Sequence, residues 1–257
     1  MATTIKPTIV IIHGGWHTPE SYEDLVTSLE SSGYEVHVPR MPSMNQVRPP
    51  NAGLVEDTTL IRDYVSSLVR AGCHVAAIMH SYGGQVGTNA LHGLGLEVRS
   101  AKGLKGGVSH LIYVTAYAGI EGSRMMDKVE EFGHMHLVPI AFDFADDGTA
   151  LSRDFKGLVV GPGRDEADTE AYVKTLSRWN GRAMYEPLEH SAWREIPVTY
   201  VYTTADMTVP IDYQKAMVGE LEKAGVEVRT WEIATGHCPN VTATRDLVET
   251  INKTLGG

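Results

Sequence analysis

Cysteine is nearly missing from this chain. Cys73 and Cys238 are its two examples in 257 residues. That is too few for the disulfide frame of a secreted fold, so a reducing cytosol is the expected setting. Positive charge is short as well: 22 Lys and Arg stand against 32 Asp and Glu, a net charge of −10. With no basic cluster to offset that balance, neither nucleic acid nor an anionic membrane surface is an expected partner. Long apolar runs are also missing. None approaches the ~20 residues of a membrane span. The opening Met1-Ala2-Thr3-Thr4-Ile5-Lys6-Pro7 holds no stretch of signal-peptide length. Asn240-Val241-Thr242 and Asn252-Lys253-Thr254 fit the glycosylation sequon, and without a signal peptide both are read as chance.

Cofactor signatures are absent too. No dinucleotide fingerprint occurs. Gly103, Gly106 and Gly107, with Lys102 and Lys105, precede a strand and not a helix, which argues against a phosphate cradle. The pairs His13/His17 and His134/His136 lack a third ligand at metal-binding spacing. Asp143, Asp146 and Asp147 lack the closing Glu of a calcium loop. No metal and no cofactor are expected.

What the chain does have is alternation. Short β-branched runs at 8–12, 34–38, 74–79, 109–115, 197–203 and 226–233 read as strands. Helical patterns fill the gaps at about 19–32, 54–71, 82–94, 212–224 and 240–255. Pro19 suits a first helical turn and Gly33 a helix stop. Between 54 and 71, Leu60, Ile61, Tyr64, Val65, Leu68 and Val69 recur at helical period. Such alternation predicts an α/β fold: one domain over 1–257, with about six parallel strands covered by helices on both faces. The stretch from about 117 to 195 breaks the pattern, with weak helical signals at 124–132 and 166–178 and a concentration of Met and aromatic residues.

The chemistry is carried by His74-Val75-Ala76-Ala77-Ile78-Met79-His80-Ser81-Tyr82-Gly83-Gly84. An apolar strand stops at a serine and two glycines follow, the pattern of a strained strand-to-helix turn that presents a nucleophile. The strict pattern would place Gly at 79, where Met79 stands. Read blandly, Ser81 is an N-cap in an ordinary turn. Two further segments favour the sharper reading. Ile9-Val10-Ile11-Ile12 runs into His13-Gly14-Gly15-Trp16, a loop suited to donate a backbone N–H to an oxyanion. Asp206 and His237 each sit just past the carboxyl end of a C-terminal strand, where open α/β sheets place ligands. Ser, Asp, His is the chain order of one class of triad enzyme.

Through these motifs the chain resembles the α/β-hydrolase superfamily, over nearly its whole length. Its compact plan is similar to the branch holding plant methyl-ester esterases and hydroxynitrile lyases. Val36-His37-Val38-Pro39-Arg40-Met41-Pro42-Ser43, the serine motif and Ala192-Trp193-Arg194-Glu195-Ile196-Pro197 look closer to poorly characterised fungal and bacterial relatives. The resemblance implies the α/β-hydrolase fold with a helical cap over about 117–195, and without the two leading antiparallel strands. It implies Ser81 as nucleophile, Asp206 as acid and His237 as base, with oxyanion donors at the N–H groups of Gly15 and Tyr82. Asp206 is preferred to Glu121 and Asp127, which follow an earlier strand. Backbone adjacency puts Trp16 and Tyr82 at the pocket mouth, with substrate contacts also expected from Trp179, Tyr185 or Trp193.

The expected activity is cofactor-independent hydrolysis of an ester, lactone or thioester of a small to medium apolar molecule, aromatic or polyketide-like. A lyase, C–C-cleaving or cyclising enzyme with the same triad is the alternative, as is a receptor-like binder with little turnover. Hydroxynitrile lyases of the branch carry Thr where Gly14 stands and Lys where Cys238 stands, which counts against that particular chemistry.

Overall fold

The computed structural model describes residues 6–256. Its strands, in chain order, are β1 (Thr8–Ile12), β2 (Val36–His37), β3 (His74–His80), β4 (Gly107–Val114), β5 (Phe142–Phe144), β6 (Thr149–Ser152), β7 (Trp179–Asn180), β8 (Val198–Thr203) and β9 (Val228–Ile233). Its helices are α1 (Glu23–Ser31), α2 (Leu54–Arg70), α3 (Gly83–Ala90), α4 (Leu96–Ala101), α5 (Met125–Glu131), α6 (Val138–Ala141), α7 (Glu166–Val173), α8 (Ile211–Lys223), α9 (Pro239–Thr242) and α10 (Thr244–Leu255).

Six strands form the central sheet in the order β2-β1-β3-β4-β8-β9, and every neighbouring pair is parallel. A parallel sheet is covered on both faces, so its inner strands are apolar throughout. β1 is buried at every position. Its alternate side chains feed two cores. Ile9 and Ile11 join Leu25 and Leu29 of α1 and Leu247 and Ile251 of α10. Val10 and Ile12 join the opposite core, which holds Ile61 and Val65 of α2 and Val86 of α3.

Local chemistry sets the helix ends. Glu56 Oε2 accepts the Gly53 N–H at 2.8 Å and closes the start of α2. Gly33 follows α1 at φ 86°, the left-handed stop its sequence position suggests. Several bounds differ from expectation. β2 pairs over two residues only, as an edge strand. The last helix divides at Ala243, whose φ of −146° lies outside the helical region. α4 was not foreseen, because six residues hold too short a period to register.

The excursion between β4 and β8 is mixed, not purely helical. α5 and α7 fall within the expected helical stretches. A three-stranded antiparallel sheet, β5-β6-β7, lies between and beside them. Strands of two to four residues are too short to show alternation in a sequence. This layer sits over the carboxyl end of β1: Trp16 packs against Phe142, Phe155 and Trp179, and its carbonyl accepts the Ser177 N–H at 2.6 Å. Among the described residues no helix is long and apolar enough to cross a membrane.

Candidate active site

Ser81 follows β3 with φ 53°, a left-handed backbone that a non-glycine residue rarely adopts. The surrounding packing enforces it. A Cβ on Gly83 would lie 2.0 Å from the Ile12 carbonyl oxygen, and one on Gly84 would lie 2.4 Å from that of Tyr117. The start of α3 therefore presses directly on the ends of β1 and β4, and only glycine permits the approach. Met79 stands where the strict motif has glycine, and α3 supplies the missing space. A Cβ at Gly87 would meet the Met79 sulfur at 2.3 Å. The small residue has moved from the strand to the helix facing it.

Asp206 and His237 are in direct contact. His237 Nδ1 lies 2.7 Å from Asp206 Oδ2, and both side chains are buried. Asp206 Oδ2 also accepts the hydroxyls of Thr115 (2.6 Å) and Thr203 (3.1 Å). Its Oδ1 accepts the backbone N–H groups of Thr208 (2.7 Å) and Val209 (2.8 Å). Burial alone would raise the pKa of this carboxyl. The His237 ring and the convergent donors outweigh burial and hold it below its ordinary value. An ionised carboxylate only accepts, so His237 Nδ1 carries the proton and Nε2 keeps a free lone pair. Nε2 is buried and has no hydrogen-bond partner. Ser81 Oγ therefore does not yet bond to it; such contacts commonly tighten only once substrate is bound. The other two acids are occupied elsewhere, Glu121 with Arg194 and Asp127 with Arg124.

Ser81 opens on a cleft that Gly15 and Tyr82 also line. Neither of those two backbone N–H groups donates a hydrogen bond among the described residues. The cleft wall is apolar: Met125, Met126 and Val129 from α5, Met217 from α8, and the rings of Phe142 and Trp179. Lys128 is its charged member, and that ammonium is bound to Glu131 and Glu220.

Trp16 lines the cleft and anchors its indole by an Nε1–H bond to the Ala150 carbonyl at 3.0 Å. Tyr82 lines it too, and its hydroxyl donates to Asp57 Oδ2 at 2.8 Å. Asp57 also accepts from the backbone N–H and hydroxyl of Ser43, and burial pushes its carboxyl up to about 6. Trp179 lies flat on Gly15; a Cβ there would meet its ring at 2.7 Å. Trp193 and Tyr185 are corrections: neither lines the cleft. Trp193 is a core residue whose Nε1–H donates to the Gly119 carbonyl. Tyr185 is exposed.

The two histidine pairs have other tasks. His13 donates from Nδ1 to the Gly14 carbonyl and accepts the Met41 N–H at Nε2, both at 3.0 Å. His134 bonds the Tyr213 hydroxyl at 2.7 Å. Among the described residues no three metal-ligating side chains gather at one place. Sequence reasoning missed Thr115, Thr203 and Asp57. None carries a motif, and each is brought to the site by strand pairing or helix packing.

A sequence-family model described as the alpha/beta hydrolase family matches residues 9–250. Alpha/beta hydrolase nvfD of Aspergillus novofumigatus is 30% identical over 240 residues, which cover 91% of each chain. A pyrethroid hydrolase of Sphingobium wenxiniae is 26% identical over 255 residues, 95% of this chain and 85% of that one. Among solved structures, polyneuridine aldehyde esterase superposes with a TM-score of 0.77 at 16% identity, covering 97% of this chain and 99% of the other. At that identity the likeness is one of fold.

Proposed function

The chain belongs to the alpha/beta hydrolase family, and on that premise we propose that it is a cofactor-independent serine hydrolase acting on esters of neutral, apolar, ring-containing molecules. The observation that carries the reading is the state of His237: Nδ1 clamped by a four-fold-anchored carboxylate, Nε2 buried and unpartnered.

In this reading Nε2 takes the Ser81 proton as the hydroxyl attacks the scissile carbonyl. Asp206 holds the tautomer and stabilises the imidazolium that forms. The N–H groups of Gly15 and Tyr82 receive the oxyanion, each worth roughly 3–4 kcal/mol in the transition state. The imidazolium returns its proton to the departing alcohol, and water resolves the acyl-enzyme through the same base. Lactones and thioesters present the same carbonyl to the same groups.

The substrate class follows from the wall. Met and aromatic side chains offer an adaptable apolar surface, and Lys128 has its charge already matched. A charged substrate would lose its hydration there without a partner. The names of an esterase and a pyrethroid hydrolase among the similar proteins are in keeping with ester cleavage. Cys238 is buried and burial pushes its thiol upward, so a neutral S–H stands beside His237 where the lyases of the resembled branch carry Lys.

The test is a panel of p-nitrophenyl esters and aromatic lactones against wild type and Ser81→Ala, with fluorophosphonate labelling in parallel. Turnover and labelling by wild type alone are expected. Labelling that persists in Ser81→Ala, or a wild type that binds esters without turning them over, would reject the proposal.

A further inference from the structure

Beneath Ser81 two more histidines, His80 and His17, crowd beside His237, and all three are buried. A carbonyl oxygen can only accept, and that fixes their tautomers. His80 Nε2–H donates to the backbone carbonyl of His237 at 2.7 Å. Its Nδ1 is then the acceptor and takes the Tyr22 hydroxyl proton at 2.7 Å. The Tyr22 oxygen in turn accepts the Gly14 N–H at 3.1 Å. A second path runs beside the first. His17 Nδ1–H donates to the Gly15 carbonyl at 2.8 Å, and its Nε2 accepts the Cys238 thiol proton at 3.4 Å. The His17 and His80 rings meet edge to face at 5.0 Å, and the His80 and His237 rings lie 4.9 Å apart.

Both paths join the Gly14–Gly15 loop to the His237–Cys238 segment, the first at the His237 carbonyl and the second at the Cys238 thiol. No ladder does so, since β3, β4 and β8 separate β1 from β9 in the sheet. We propose that His80 and His17 are positioning residues that set the distance between the oxyanion-donor loop and the general base. The inference rests on the serine-hydrolase reading above. Neutrality is part of the design. Burial pushes His80 down to about 3 and His17 well below its usual value, so neither opposes the imidazolium that His237 must become. A displacement of about 1 Å at such a site costs on the order of 10² in rate, which is the scale the straps protect.

Three variants test it on a p-nitrophenyl ester. His80→Leu removes both bonds of the inner strap. His80→Gln keeps a donor for the His237 carbonyl. Tyr22→Phe removes the hydroxyl that bridges His80 and Gly14 and leaves the His80–His237 bond in place. We expect kcat to fall about 10²-fold in His80→Leu with KM nearly constant, and the fluorophosphonate labelling rate to fall with it. His80→Gln recovers most of the loss, and Tyr22→Phe falls between wild type and His80→Leu. Folded variants, judged by near-UV circular dichroism and unfolding midpoint, that keep wild-type kcat would overturn the inference, as would losses confined to KM. Should His80→Leu not fold, Tyr22→Phe decides the matter by the same readings. An active wild type with active variants overturns this inference alone. A wild type that neither labels nor turns over removes the hydrolase reading together with it.

Discussion

Below Ser81 the molecule is polar and its bonds are nearly all made; above it the wall is apolar and held by packing. Asp206 accepts five hydrogen-bond donors, counting His237, two threonine hydroxyls and two amides. The wall is Met125, Met126, Met217 and interlocking aromatic rings, with Trp16 stacked on Phe142 and edge to face with Trp179. Directional bonds fix one arrangement and punish each lost partner. Dispersion contacts tolerate exchange when volume is kept. In the proposed reading the floor therefore defines the reaction and the wall the substrate.

The sharpest way to break this comparison is on the floor. Ser81→Ala should lower kcat by on the order of 10⁴–10⁶ and leave unfolding unchanged, because the hydroxyl has no structural partner in the resting enzyme. Steady-state kinetics beside a urea titration checks both halves. Asp206→Asn should lower kcat by roughly 10⁴ by favouring the wrong His237 tautomer. The same change at Glu121 or Asp127 should do little, since each pairs with a surface arginine.

The floor also predicts acid lability. His13 is held down to about 4 and His80 to about 3, chiefly by burial. Below about pH 6.5 the unfolded chain takes protons that these folded rings refuse. Stability therefore falls as pH drops from about 6.5 toward 4, by about 1.4 kcal/mol per unit for each ring. Asp57 opposes this: its folded carboxyl, raised to about 6, binds a proton before the unfolded one does and favours the folded state as pH falls from about 6 to 4. With His13, His17 and His80 set against one Asp57, the net change is a loss. Urea midpoints at pH 7 and pH 5 measure it; a midpoint that rises on acidification would show that these rings are not buried neutral.

The same contrast explains what could be read in advance. The proposed site residues Ser81, Asp206 and His237 could be picked out because each lies just past the carboxyl end of a strand, and strand ends mark themselves in sequence through the change from β-branched runs to Gly, Asp and His. Gly15 was legible from His13-Gly14-Gly15 for the same reason. Trp193 and Tyr185 were misplaced because aromatic content says that a segment packs, not which way a ring turns. The short strands β5, β6 and β7 were invisible, being held by pairing with one another and not by their own period. Thr115, which holds Asp206 across 91 residues of chain, has no local signature at all.

Met79 and Gly87 offer a smaller test at the border of the two regions. Gly87→Ala drives a Cβ to 2.3 Å from the Met79 sulfur and should cost about 1–3 kcal/mol through overpacking. Shortening the strand residue in the double variant Met79→Ala/Gly87→Ala should return part of that cost. Adding the two single costs without any recovery would mean that the helix and strand do not share this space, and that the motif's missing glycine is accommodated some other way.

The smallest expected effect belongs to the wall. Met125→Leu keeps volume and apolarity at a cleft position contributed by α5, so stability should change by less than about 1.5 kcal/mol. Its kcat on a small p-nitrophenyl ester should stay near wild type, because no atom of residue 125 bonds to Ser81, Asp206 or His237. What should move is the preference among bulky esters. Leucine is branched and stiffer than methionine, and loses the freedom with which a thioether fits irregular rings. The ratio of kcat/KM between a naphthyl and a short alkyl ester is thus the sensitive reading. If that ratio holds while kcat collapses, the wall takes part in positioning the reacting groups, and the division between a directional floor and an adaptable wall is drawn in the wrong place.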